Sequence, residues 1–109
     1  MPMLNIEDIQ HKIANEQFEL SKHAVDQSII RQIRLHEIVD AIANGQIIED
    51  YPNDKYAPSC LICGVTQTGR AIHVQSSYPS RPLVKIITVY EPDPTKWNND
   101  FTLRKTNNE

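Results

Sequence analysis

The chain has 109 residues, of which 39% are hydrophobic and 23% are charged, and its formal net charge is -3. These values predict one soluble globular domain whose core needs neither a metal nor a disulfide. No run of about 18 apolar residues is present to span a bilayer, and the N-terminus lacks the pattern of a secretory signal. We therefore expect a cytoplasmic protein with no membrane association.

The charge is divided unevenly along the chain. Residues 1–54 contain 4 Lys and Arg against 10 Asp and Glu, a net charge of -6, whereas residues 55–109 contain 7 against 4, a net charge of +3. The C-terminal half can therefore present a basic surface although the whole chain is acidic.

The N-terminal half predicts three short helices and one short strand. Asn5 can cap a first helix over about 5–15, and Ser21 can cap a second helix over about 22–30. Phe18–Leu20 alternates apolar and polar residues like a strand. A third helix begins at Leu35, and Gly45 stands where a helix is expected to end.

The remainder is typical of a sheet. Four runs of β-branched and aromatic residues predict strands over about 46–51, 60–66, 71–75 and 83–90. Their links are too short for parallel crossovers, and Gly69 is expected to take the unusual φ of a tight hairpin. The predicted fold class is α+β, with N-terminal helices packed on a curled antiparallel sheet. We expect a single domain over 1–109, with a core at about 16–93 and a tail over 94–109 whose last four residues are loose.

Strand alternation makes a definite prediction for the last strand. It places Val84 and Ile86 on one face and Ile87 and Val89 on the other. Lys85 then lies opposite Tyr90, so that the two cannot face one ligand unless the strand bulges. The Lys85 amine emerges from an apolar strand and must reach water, an acid such as Glu37, or an anionic ligand.

Cys60 and Cys63 have the spacing of half a zinc site. In a strand, however, they point to opposite faces, and no second cysteine pair is present. We interpret them as buried small hydrophobic residues and predict neither a metal nor a cofactor.

Two of the four histidines are candidates for chemistry. His23 lies in the first turn of the second helix, where an imidazole tends to be neutral and can act as a base, and His73 lies within a strand. A packed or surface histidine without a role is the alternative for each.

The order of the motifs resembles a small bacterial family of unknown function that is related to BrnT and, more distantly, to RelE/ParE-like toxins. The resemblance implies a compact toxin-like fold, a cognate antitoxin, in some cases with an MqsA-type zinc finger, and cleavage of messenger RNA at the ribosome without a metal. It maps a Ser-x-His-Ala helix start onto Ser21 and His23, and a Gly-Arg-x-x-His-Val strand onto Gly69, Arg70 and His73. The motifs that carry it are Phe18-Glu-Leu-Ser-Lys-His-Ala, Ile38-Val-Asp-Ala-Ile-Ala-Asn-Gly, Ile47-Ile-Glu-Asp-Tyr, Gly69-Arg-Ala-Ile-His-Val and Ile87-Thr-Val-Tyr-Glu-Pro-Asp.

The first functional hypothesis is therefore a toxin that cleaves RNA by attack of a ribose 2′-OH on the adjacent phosphate. This reaction needs a base, an acid and cations that stabilise the developing charge. The predicted catalytic residues are His23, His73, Arg70, Lys85 and Tyr90, and the predicted RNA-binding residues are Arg31, Arg34 and Arg81.

The alternative is a non-catalytic protein-binding or regulatory module of the same fold. Its acidic N-terminal half could face a basic partner, and Trp97 and Phe101 could anchor the tail on that partner's surface. An enzyme with a small ligand in a cleft between sheet and helices ranks last, because no phosphate loop or nucleophile elbow is present.

Overall fold

A computed structural model describes residues 4–105 of the chain. Three nine-residue helices lie on one face of a five-stranded sheet, and no helix among these residues is long and apolar enough to cross a membrane. The predicted loose end at 106–109 lies outside the described residues. The elements are α1 (Ile6–Ala14), β1 (Phe18–Leu20), α2 (Lys22–Ile30), α3 (Leu35–Ala43), β2 (Gln46–Tyr51), β3 (Ser59–Val65), β4 (Ala71–Ser77) and β5 (Val84–Tyr90).

Side-chain caps fix where the helices begin. The Asn5 side chain accepts a hydrogen bond from the Glu7 N–H at 2.8 Å, and Ser21 Oγ accepts one from the Ala24 N–H at 3.0 Å. Each satisfies one backbone donor that has no partner within its helix. Both predicted caps are confirmed, and α2 begins immediately after Ser21.

The sheet has the order β1-β5-β4-β3-β2 and is not closed. Strands β2 to β5 form the predicted antiparallel meander, and the α+β class is confirmed. The sequence did not predict that the sheet is mixed: β1 pairs with β5 in parallel. Residues 21–83 separate these two strands, which is more than long enough for a parallel crossover.

A bulge in β5 changes which side chains share a face. Gln75 pairs with Thr88 and Ser76 pairs with Ile86, so Ile87 is left without a partner. Each position after the bulge is shifted by one residue. The prediction that Val84 and Val89 lie on opposite faces is therefore wrong.

Because of this bulge, the fully buried residues of β5 all lie on one face of the sheet. Val84, Ile86 and Val89 are all fully buried on the face that packs against the helices. Lys85 and Tyr90 lie together on the other face, which we call the outer face of the sheet.

The helices approach the inner face closely. A Cβ on Gly64 of β3 would lie 1.8 Å from the Ala41 carbonyl oxygen of α3, so only glycine allows this contact. Cys60 belongs to this core, whereas Cys63 points to the outer face, as the alternation predicts. Gly69, with φ of +86°, occupies the predicted hairpin turn.

Residues 91–105, which we call the C-terminal segment, fold back over part of the outer face. Trp97 is 3% exposed, and its ring meets the His73 ring edge-on at 4.5 Å. The prediction that Trp97 anchors the tail on a partner is therefore wrong: this ring is buried against its own chain.

Candidate functional site

A groove lies on the outer face, where β5 begins and β4 ends. We call it the tyrosine groove, and its volume is about 530 Å³. One wall is the loop between β2 and β3, which carries Tyr56, and the other is formed by the first residues of β5 and the residues beside β1. Its lining is Glu19, Ser21, Asp54, Tyr56, Ala57, Pro58, Ser77, Tyr78, Ser80, Arg81, Leu83, Lys85 and Ile87.

Two tyrosines give this groove an aromatic wall. The Tyr56 ring is 88% exposed, so almost none of its apolar surface is used in the fold. Tyr78 is fixed instead, because its hydroxyl donates a hydrogen bond to Asp50. That bond raises the pKa of Tyr78 to about 12, so the phenol keeps its proton at neutral pH.

Two cations line the same groove. The nearest acid to Lys85 is Glu19, whose carboxylate oxygen lies 3.7 Å from the amine, and both side chains are about half exposed. A pair of this kind contributes little energy and is easily exchanged for another anion. Arg81 forms no ion pair with any of residues 4–105. Both cations are therefore available to a ligand.

A second, smaller groove of about 320 Å³ lies at the other end of β5, against the C-terminal segment. We call it the C-terminal groove. Its charges are mixed, and two of its charged residues are already paired: Glu91 with Arg70 and Arg104 with Glu49. It is lined by Arg31, Tyr90, Glu91, Asp93, Lys96, Trp97 and Arg104.

His73 lies beneath the C-terminal segment and is fully buried. Its Nε2 lies 2.8 Å from the Phe101 carbonyl oxygen, which can only accept, so Nε2 carries the proton. Nδ1 then accepts a hydrogen bond from the Tyr90 hydroxyl at 3.1 Å. Desolvation lowers the pKa of His73, and the ring is neutral. Both nitrogens are occupied, and no substrate reaches them while the segment is in place.

An ion pair holds the C-terminal segment over the sheet beside this histidine. Arg104 donates from Nε to Glu49 at 2.8 Å and lies over the Trp97 ring at 4.6 Å. The Arg104 guanidinium and the Tyr51 hydroxyl, which also donates to Glu49, keep the pKa of that carboxyl below its usual value. Burial and the Glu49 charge raise the pKa of Tyr51 to about 12.

Arg70 is a structural clamp. Its guanidinium donates to both carboxylate oxygens of Glu37, at 3.2 and 3.1 Å, to Glu91 at 2.8 Å, and to the carbonyl oxygens of Arg31 and Gln32. Two carboxylates neutralise its charge, and they raise the pKa of Arg70 further. It joins the α2–α3 turn, α3 and the end of β5. Glu37, one of the acids predicted for Lys85, is occupied by this clamp.

The eight predicted site residues do not form one site. Lys85 and Arg81 meet in the tyrosine groove, whereas Tyr90 and Arg31 line the other groove. Lys85 and Tyr90 lie five positions apart in β5, roughly 16 Å along the strand, which is too far for both to act on one phosphate. His23 and Arg34 are exposed and line neither groove.

Sequence reasoning did not single out the residues that complete the two grooves. Aromatic residues such as Tyr56 and Tyr78 suit stacking on bases, but the sequence alone does not place them on one face of the sheet, and it gives no signal for Glu19, Glu49 or Arg104. The turn-rich loop between β2 and β3 was the available signal, because functional side chains are often carried by such loops. Among residues 4–105, no three His, Cys, Asp or Glu side chains are grouped to hold a metal ion.

The geometry defines a small α+β domain with its helices on one sheet face and an aromatic, cationic groove on the other. A model of the family described as a domain of unknown function (DUF4258) matches residues 20–91, and the chain belongs to this family. Comparison with curated proteins and with solved structures gives no match. The relation to BrnT and to RelE-like toxins stays a prediction.

Proposed function

We propose that this protein is the toxin of a toxin–antitoxin pair and acts on single-stranded RNA held in the tyrosine groove. The observation that supports this proposal is the combination of an unused aromatic ring, Tyr56, with two available cations, Arg81 and Lys85, in one groove. Unpaired bases stack on aromatic side chains, and the phosphates that follow them are bound by Lys and Arg. A duplex offers no such free base faces.

The reaction that we propose is attack of a ribose 2′-oxygen on the adjacent phosphorus. The P–O5′ bond breaks, and the products end in a 2′,3′-cyclic phosphate and a 5′-hydroxyl. The Glu19 carboxylate would accept the proton of the 2′-OH. The Tyr78 phenol would give up its hydrogen bond to Asp50 and donate its proton to the leaving oxygen. Arg81 and Lys85 would stabilise the additional negative charge on the phosphate. This assignment takes the reaction from the sequence hypothesis but moves it away from His23, His73, Arg70 and Tyr90.

Binding is tested with a fluorescently labelled single-stranded oligoribonucleotide, with the duplex of the same sequence as a comparison. Tyr56→Ala is expected to weaken binding by about tenfold, because one stacked base contributes roughly 1–3 kcal/mol. Tyr56→Phe keeps the ring and is expected to bind like the wild type. Lys85→Ala is expected to lower the slope of log Kd against log salt by about one, and Arg34→Ala, an exposed arginine outside the groove, to leave it unchanged.

Cleavage is tested on the same RNA in the presence of a chelator, with the products analysed for the cyclic phosphate. We expect cleavage that Glu19→Gln and Tyr78→Phe abolish while RNA binding is retained. If neither Tyr56→Ala nor Lys85→Ala weakens RNA binding, the proposal that RNA binds in the tyrosine groove is refuted. Binding without cleavage would reduce the protein to a binding module.

A non-catalytic protein-binding module is the second candidate function. The observation that favours it is the exposed apolar surface of α2, where Ile29 is 70% exposed and Ile30 is 71% exposed.

A further inference from the structure

Helix α2 uses little of its apolar surface in the fold. Of its nine residues only Ala24 is buried, while Val25, Ile29 and Ile30 are 41%, 70% and 71% exposed. We call these three side chains the α2 patch. Val25 and Ile29 are four residues apart and lie on one side of the helix, and Ile30 adjoins them at its end. Exposed aliphatic side chains grouped in this way are typical of an interaction surface.

The charge around the α2 patch differs from that of the rest of the N-terminal half. Residues 22–36 contain three cations, Lys22, Arg31 and Arg34, and one acid, Asp26. Residues 1–21 and 37–54 together contain one cation and nine acids. Asp26 is paired with Lys22 at 3.0 Å, whereas Arg31 and Arg34 have no ion-pair partner within residues 4–105. The α2 patch is therefore followed in the chain by two arginines that form no ion pair among residues 4–105, and Arg31 also lines the C-terminal groove with Glu91.

These observations favour one kind of occupant. We propose that the α2 patch binds an amphipathic helix of a separate protein, whose apolar stripe covers Val25, Ile29 and Ile30 and whose acidic flank pairs with Arg31 and Arg34. A helix that lays its apolar side on such a surface is a common mode of recognition. A second copy of this chain fits less well, because two-fold pairing would bring the Arg31 and Arg34 guanidinium groups of the two copies toward one another. This inference goes beyond the RNA activity proposed above and does not rest on it.

The direct test uses two designed peptides and the full chain. One peptide has leucines spaced alternately three and four positions apart and glutamate at all other positions. Its counterpart has lysine in place of each glutamate. Both are amphipathic helix formers, so they differ only in the sign of their charge. Fluorescence anisotropy is expected to show the acidic peptide binding at least about tenfold more tightly at low salt, and less so as salt rises.

Matched variants locate the binding site. Ile29→Glu is expected to weaken binding of the acidic peptide by about tenfold or more, because it removes a buried isoleucine from the complex and adds a like charge. Leu103→Glu is the control, since Leu103 is also apolar and 66% exposed but lies in the C-terminal segment. Both substitutions are at exposed positions, and circular dichroism verifies that each variant is folded.

Each outcome decides the inference. Tighter binding of the acidic peptide that Ile29→Glu abolishes and Leu103→Glu leaves intact supports it. Absence of peptide binding, equal binding of the two peptides, or binding that Ile29→Glu does not change would overturn it. A dimer seen by light scattering that Ile29→Glu dissociates would assign the patch to a second copy instead. None of these results depends on whether the protein binds or cleaves RNA.

Discussion

Replacing Trp97 by alanine tests whether the C-terminal segment is part of the fold. The side chain is 3% exposed, meets the His73 ring at 4.5 Å and lies beneath the Arg104 guanidinium. A buried tryptophan removes about 150–250 Å² from water, which corresponds to about 4–6 kcal/mol as an upper limit. Measured costs of truncating a large buried aromatic are about 3–5 kcal/mol. We expect Trp97→Ala to lower the free energy of unfolding by an amount in that range.

The assay is urea unfolding followed by far-UV circular dichroism, since the chain has one tryptophan and the variant has none. The loss corresponds to a fall in Tm of more than about 10 °C for a domain of this size. Leu103→Ala in the same segment is the control and is expected to change stability by less than about 0.5 kcal/mol, because Leu103 is largely exposed.

A second measurement separates local detachment of the segment from general damage. His73 is fully buried beneath Trp97. Its modification by diethylpyrocarbonate, located by mass spectrometry, is therefore expected to be slow in the wild type and fast in Trp97→Ala. A variant that loses less than about 1 kcal/mol and leaves His73 protected would refute the packing described here and restore Trp97 as a partner anchor.

Three further predictions concern buried or paired groups. Arg70→Met should lower the free energy of unfolding by about 1–3 kcal/mol, because the Arg70–Glu37 pair is mostly shielded from water. The Arg34 N–H and Arg70 hold the pKa of Glu37 below its ordinary 4.5, so the stability from this pair is present above that pH and lost as pH falls through the folded value. The stability of the variant should therefore depend less on pH in the acid range than that of the wild type. Burial lowers the pKa of His73 from 6.5, so the free energy of unfolding should fall as pH drops below about 6.5. His73→Gln should make the free energy of unfolding less dependent on pH between pH 7 and 5. An unchanged pH dependence would contradict a buried, neutral His73. Burial raises the pKa of the Cys60 thiol to about 11, so it should resist alkylation in the native protein and react after denaturation, whereas rapid native labelling would show that β3 is misplaced.

Local sequence signals predicted most of the secondary structure. The caps at Asn5 and Ser21 and the turn at Gly69 each have a short-range physical cause, so the sequence alone identifies them. The parallel pairing of β1 with β5 has no local cause. It joins residues more than sixty positions apart in the chain and depends on packing of the helices between them.

The candidate site was less predictable because it also depends on contacts between residues that are distant in the chain. Alternation along β5 is a local rule, and the bulge at Ile87 breaks it in response to the partner strand and to the core. The bulge places Val89 in the core and brings Tyr90 to the same face as Lys85. Residue types alone also did not show that Arg70 and His73 are fully occupied by their own chain, because those contacts come from Glu37, Glu91 and Phe101, which are distant in sequence.

The two grooves differ in how they depend on the C-terminal segment. Every residue that lines the tyrosine groove except Glu19 lies within the family match over 20–91, and Glu19 is adjacent to it. The C-terminal groove, in contrast, takes Asp93, Lys96, Trp97 and Arg104 from outside the match. The C-terminal segment, which builds this second groove, also covers His73. The His73 side chain faces outward from the sheet, and under this segment it is buried and neutral. The part of the chain that belongs to the family therefore carries the tyrosine groove, and the additional segment covers the part of the outer face where His73 meets Tyr90.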